Sequence, residues 1–117
     1  MDPVELKART RQFALRIIHL VESMPRGRTT DVLGRQLLRS ATSVGANYRA
    51  ACRARSRADF ISKITVAEEE ADESLYWLEL ISESNIIRAD RLAGLIKEAD
   101  ELTAILTAAG KTARRNK

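Results

Sequence analysis

The sequence is short of the residues that carry most site chemistry: one cysteine, one histidine, two prolines, five glycines, and only two Phe, two Tyr and one Trp in 117 residues. A single thiol excludes an intramolecular disulfide and a cysteine-based zinc site, and it suits a reducing cytoplasm, where the protein is expected to reside. Gly and Pro are too few for the many turns of a sandwich or barrel, whereas Ala, Leu, Glu and Arg abound, which favours helices. Every apolar run is cut by charge within a few residues, so no membrane span is expected. Met1-Asp2-Pro3-Val4-Glu5 lacks the basic start of a secretion signal. A chain of this length buries roughly 65% of its unfolded surface, enough for one core but not for two domains with a cleft between them.

The same scarcity limits catalysis. A di-metal centre in a helical bundle needs Glu-x-x-His pairs, but the only histidine is His19 and the residue three before it is Arg16, so no metal or cofactor is expected. His19 reads as a surface or boundary residue. Cys52 has no base or orienting group on its own helix and reads as a small buried side chain. Gly27, Gly34 and Gly45 are isolated and match no phosphate-binding loop. No catalytic residue is assigned, and a non-enzymatic protein is expected.

What the chain has is helical periodicity. Leu6, Thr10, Phe13, Ile17, Leu20 and Met24 alternate four and three apart, behind Asp2 as N-cap and Pro3 in the first turn. After Pro25-Arg26-Gly27-Arg28, Thr30 or Asp31 is expected to cap a second helix, with Leu33, Leu37, Ser40, Val44, Asn47 and Ala51 on one face, running to about Ala54. Ser56-Arg57-Ala58-Asp59 reads as a capping box for a third helix, which places Phe60, Ile64, Ala67, Ala71, Leu75, Leu78 and Ile81 inward. Ser82–Arg88 is the next connection. A fourth helix carries Leu92, Leu95, Ile96, Ala99, Leu102 and Leu106 and is expected to stop at Gly110, leaving 111–117 as a basic disordered tail. Four amphipathic helices with short connections hide their apolar stripes by packing together, so an all-α, antiparallel up-down-up-down four-helix bundle over residues 1–110 is expected.

Charge is distributed unevenly. The formal net charge is +4. Residues 1–63 contribute +8, residues 64–110 contribute −8 and residues 111–117 contribute +4. Arg35, Arg39, Arg49 and Arg53 fall within roughly an 80° sector of helix two. Arg26, Arg28, Arg55, Arg57 and Lys63 extend this basic edge, and the tail adds Lys111, Arg114, Arg115 and Lys117. Guanidinium groups along a rigid helix stay charged and present fixed forks to phosphate oxygens, displacing counterions. The alternative is a solvated face whose aliphatic stems lie on the bundle. Tyr48 is the only aromatic near the stripe, so base stacking is not expected and binding would be driven by the nucleic-acid backbone.

Helix three is acidic, with Glu68/Asp72 and Glu69/Glu73 spaced i,i+4 and no cation between Lys63 and Arg88, so a positive partner from outside the helix is implied. If Glu70 and Glu73 hold Arg39 and Arg49, those arginines are structural. Buried Ser and Asn in the run from Arg39 to Asn47 must find hydrogen bonds, within the bundle or at an interface. Tyr76-Trp77-Leu78 covers more than half of the helix circumference, so one of the three is expected outside the core, where it would anchor a subunit contact.

Three strings, Gln36-Leu37-Leu38-Arg39-Ser40-Ala41-Thr42-Ser43-Val44-Gly45-Ala46-Asn47-Tyr48, Ser56 through Ile64, and Glu70-Ala71-Asp72-Glu73-Ser74-Leu75-Tyr76-Trp77-Leu78, resemble the four-helix bundle family encoded in intervening sequences of bacterial 23S rRNA genes. The accessory variability determinant of diversity-generating retroelements is similar to that family. The resemblance covers nearly the whole chain. It implies an antiparallel bundle assembled as a homopentameric ring, without known catalysis. In the retroelement branch it further implies a basic ring that binds nucleic acid and contacts a reverse transcriptase. The family's Arg, Ser, Asn and paired Glu map to Arg39, Ser40, Asn47, Glu70 and Glu73, which read from the residues as an internal or intersubunit polar network. Family members usually carry Glu two residues after the Asn-Tyr pair, where this chain has Ala50, making the helix-two surface more positive.

Two functions follow as expectations. The first is a ring-forming protein that binds RNA or DNA with weak sequence specificity through Arg26, Arg28, Arg35, Arg49, Arg53, Arg55, Arg57, Lys111, Arg114, Arg115 and Lys117. The second is a protein–protein scaffold or accessory subunit, for example for a reverse transcriptase, whose charged faces serve self-assembly.

Overall fold

The computed structural model describes residues 1–116 as four helices: α1 (Pro3–Glu22), α2 (Arg28–Cys52), α3 (Arg57–Glu83) and α4 (Ala89–Arg115). No strand occurs among the described residues. The helices form a rod measuring 48 × 20 × 20 Å.

Two helix starts follow directly from their side chains. The Asp2 carboxylate accepts the Glu5 backbone N–H at 2.9 Å, which satisfies one orphan donor and holds that carboxyl below its ordinary value. Ser56 does the same for the Asp59 N–H at 3.0 Å.

The other boundaries correct the sequence expectations. α2 starts at Arg28 behind Gly27, with no side-chain cap. The Asp31 N–H bonds the Gly27 carbonyl at 2.9 Å, so Thr30 and Asp31 lie inside the first turn rather than capping it. α2 ends at Cys52, two residues short of Ala54. Gly110 does not stop α4, which continues to Arg115. Gly110 is buried against Ile64, whose Cγ2 would stand 3.6 Å from an added Cβ. Its small size therefore admits the neighbouring helix, and residues 111–115 are helical rather than a disordered tail. Lys117 lies outside the described residues.

The expected inward positions form one core running the length of the rod. Phe13, Ile17, Leu37, Ile64, Leu78, Leu92, Leu102 and Leu106 are almost completely excluded from water. Burial of each such side chain stabilises the fold by about 1.5–3 kcal/mol relative to exposure. Met24, Leu33, Phe60, Leu75 and Ile96 sit at the margin, half-buried against the core. The three buried hydroxyls, Thr10, Ser40 and Ser74, all have hydrogen-bond partners.

Helix α2 packs extensively on α3, and α3 on α4; α1 packs less extensively on α2 and touches α4 only sparingly. Among the described residues α1 does not meet α3, nor α2 α4, so the four helices stand at the corners of a square. Specific crossings fix the neighbours. Gly45 lies against Thr10 and Gly34 against Val21. Arg57 reaches Ala113 and Arg114, and Glu68 reaches Thr107.

Candidate nucleic-acid interface

The structure divides the predicted basic stripe into several groups. From Arg28 to Arg53 the α2 axis advances about 37 Å at 1.5 Å per residue, so these arginines serve opposite ends of the rod. Arg26, Arg28 and Arg35 gather around the α1–α2 connection, all exposed. Arg53 and Arg55 occupy the α2–α3 connection, also exposed. Among the described residues none of these five is in an ion pair.

Arg57, though exposed, is committed to backbone carbonyls of α4. Its Nε donates to the Ala113 carbonyl at 2.7 Å and its Nη2 to the Arg114 carbonyl at 2.9 Å. A cation on the last carbonyls of α4 satisfies orphan acceptors at the negative end of the helix dipole. This clamp brings Lys111 and Arg115, both exposed, to the α2–α3 connection beside Arg53 and Arg55. Arg114 is tied down there as well, donating from Nη2 to Thr65 Oγ1 at 2.7 Å. One end of the rod therefore carries exposed Arg53, Arg55, Lys111 and Arg115 on a rigid base.

The polar network predicted from the sequence is internal in part. Arg39 Nη1 donates to Glu70 Oε2 at 3.1 Å and Arg39 Nη2 pairs with Glu73, so the guanidinium bridges α2 to α3. Trp77 Nε1 donates to the same Glu73 carboxylate at 3.2 Å. Behind them Ser74 Oγ lies 3.0 Å from Ser40 Oγ in the buried seam. Asn47 is not in this network, since its side-chain amide donates to the Ser43 carbonyl of its own helix at 2.9 Å. Arg49 does not join it either: no carboxylate pairs with it among the described residues. Of the three large residues in α3, Leu78 is buried, Trp77 half-buried and Tyr76 53% exposed.

One further expectation is corrected. Cys52 is exposed rather than buried, because Ala51 takes the inward position in the last turn of α2. Tyr48, the one aromatic near the stripe, is buried, and burial together with the neighbouring Cys52 side chain pushes its hydroxyl above the ordinary range.

Arg9, Lys7 and Arg11 on α1 lie outside the basic stripe read from the sequence. Arg9 pairs with Glu98 and Glu101 on α4, both at 2.7 Å. Lys7, Arg11 and Arg49 line a groove of about 660 Å³ between α1 and α2, floored by Ala8, Gly45 and Ala46. Lys7 and Arg11 lie four apart on α1, which places them on one face. A helical-wheel comparison of α1 with α2 was the signal available. Among the described residues no group of three or more His, Cys, Asp or Glu is placed to hold a metal ion.

A small all-helical bundle with exposed cations at its ends is the class these features define. The sequence model of the 23S rRNA-intervening sequence protein family matches residues 4–108, and the chain belongs to that family. It is similar to a crystal structure of a protein of unknown function from the S23 ribosomal protein family of Bacteroides thetaiotaomicron VPI-5482. The identity is 36% and the TM-score 0.87, over 95% of this chain and 99% of that one. No curated protein matches the chain. No helix is long and apolar enough to cross a membrane among the described residues.

Proposed function

We propose that this chain is an antiparallel up-down-up-down bundle that assembles as a homopentameric ring and binds RNA or DNA phosphates, without catalysis and with weak sequence specificity. The observation that carries the reading is the cluster of Arg53, Arg55, Lys111 and Arg115. These are exposed cations gathered on one end by the Arg57 clamp, with no carboxylate partner among the described residues. Crossings such as Thr10 with Gly45 and Val21 with Gly34 support the antiparallel order. Four phosphate contacts on one protomer are individually weak, and ring assembly multiplies them by raising effective concentration.

The test is binding of a short fluorescent poly-uridine RNA and of a short DNA duplex at several salt concentrations. With four phosphates neutralised, affinity falls roughly a hundredfold over a fourfold rise in salt. The triple variant Arg53→Glu, Arg55→Glu, Arg115→Glu abolishes that binding. Absence of wild-type binding at low salt sinks the reading.

A second reading, a scaffold or accessory subunit for a protein such as a reverse transcriptase, is favoured by the outer edge of α3. Glu69, Asp72, Glu79 and Glu83 there are all exposed, and no cation pairs with them among the described residues.

A further inference from the structure

The α1/α2 groove and the outer ridge of α3 are complementary surfaces. The groove runs from Lys7 to Ala14 on α1 and from Thr42 to Arg49 on α2, seven residue steps on each, or about 10 Å of helix. Three cations, Lys7, Arg11 and Arg49, stand along it over a floor of alanine and glycine, and its lining contains no acid. Close helix approach is possible over such a floor, because no long side chain intervenes.

The ridge has matching length and opposite chemistry. Asp72, Tyr76 and Glu79 follow one another at four and three residues on the exposed side of α3, again seven steps and about 10 Å. Glu69 continues the line one turn earlier. Tyr76 is the large apolar group in the middle of this acidic edge, 53% exposed. An aromatic ring flanked by carboxylates fits a shallow apolar floor flanked by cations: the ring fills the space above Gly45 and Ala46, and the charges neutralise along the rims.

The two surfaces cannot meet within one protomer. α1 and α3 occupy opposite corners of the square and do not touch among the described residues. Groove and ridge are also different patches, so their contact is head-to-tail, the kind that closes into a ring when the rotation allows. We infer that the α1/α2 groove receives the α3 ridge of a second copy of this chain, with Tyr76 seated on the Gly45–Ala46 floor and Glu69, Asp72 and Glu79 facing Lys7, Arg11 and Arg49. This deepens the assembly part of the proposed function and rests on it. It also reassigns Arg49 from phosphate binding to subunit contact, leaving the end clusters for nucleic acid.

The test combines charge reversal with light-scattering mass after size exclusion, and with poly-uridine RNA binding on the same samples. Circular dichroism verifies that each variant keeps its helices. The groove variant Arg11→Glu, Arg49→Glu and the ridge variant Glu69→Arg, Asp72→Arg each fall to the 13.1 kDa protomer. Tyr76→Ala falls to the same mass without any change of charge. The chain carrying all four reversals regains the wild-type mass, because attraction is restored with its sign inverted.

Groove reversal that leaves the mass unchanged and abolishes RNA binding overturns the inference and makes the groove a polyanion site. Ridge reversal and Tyr76→Ala that leave the mass unchanged overturn it while leaving ring assembly standing. A wild-type chain that stays at 13.1 kDa at low salt and high concentration removes assembly altogether, and the end-cluster binding test is then judged separately.

Discussion

Arg9 lies fork to fork against Glu98, Nε to Oε2 and Nη2 to Oε1, both at 2.7 Å, and the same Nη2 reaches Glu101 at 2.7 Å. The hydrogen bond to Glu98 raises the guanidinium's pKa against the opposing effect of burial, so the pair stays ionised. It joins α1 to α4, the neighbouring helices of the square that pack together least.

Replacing Arg9 with Met keeps the aliphatic stem and removes the fork, leaving the mostly buried Glu98 carboxylate without its partner. Stability falls by about 1–2 kcal/mol, the range for a charged hydrogen bond discounted for partial exposure. In urea unfolding the midpoint drops while the slope is unchanged. A midpoint equal to wild type would show that the pair contributes nothing.

Gly94 sits inside α4, exposed, and a methyl group added there meets only the far end of Arg16, at 3.3 Å. That side chain is free to swing aside. Gly94→Ala therefore removes the entropic cost of a mid-helix glycine and stabilises the fold by about 1 kcal/mol. Thermal unfolding shifts upward by roughly 4 °C. A downward shift would mean that Arg16 has a role its position does not reveal.

Tyr48 gives an alkaline signature. Its folded pKa is raised, first by burial and then by the neighbouring Cys52 side chain, above the value near 10 of an exposed phenol. The folded state keeps the proton that the unfolded state gives up. The contribution is full below pH 10 and is lost as pH rises toward the folded value. Unfolding midpoints measured upward from pH 9 fall, and in Tyr48→Phe this part of the decline is missing. An identical decline in both proteins would assign the alkaline loss to other groups.

The helices and their inward faces were legible because burial imposes a period. Phe13, Ile17, Leu37, Ile64 and Leu102 all lie where four-three spacing puts them. Boundaries were legible only where a side chain makes the cap, at Asp2 and Ser56. Gly110 misled because a glycine that ends a helix and one that admits a neighbouring helix look alike in one dimension. The Arg39–Glu70–Glu73 bridge was foreseeable from an acidic helix lacking its own cations. The Arg57 clamp was not, since its acceptors are backbone carbonyls more than fifty residues away, and any residue type supplies those. Lys7 and Arg11 gained significance only when α1 was set beside Arg49.

The uneven packing of the square sets an order of opening. α2, α3 and α4 are held by two extensive seams, whereas α1 rests on one lesser seam and touches α4 sparingly. Backbone amides in α1 therefore exchange with solvent through a partial opening of lower free energy than global unfolding, while those in the middle of α3 wait for the whole fold to come apart. The first helix is the latch of the structure and the other three are its frame. Any partner that covers α1 lengthens the life of the closed form.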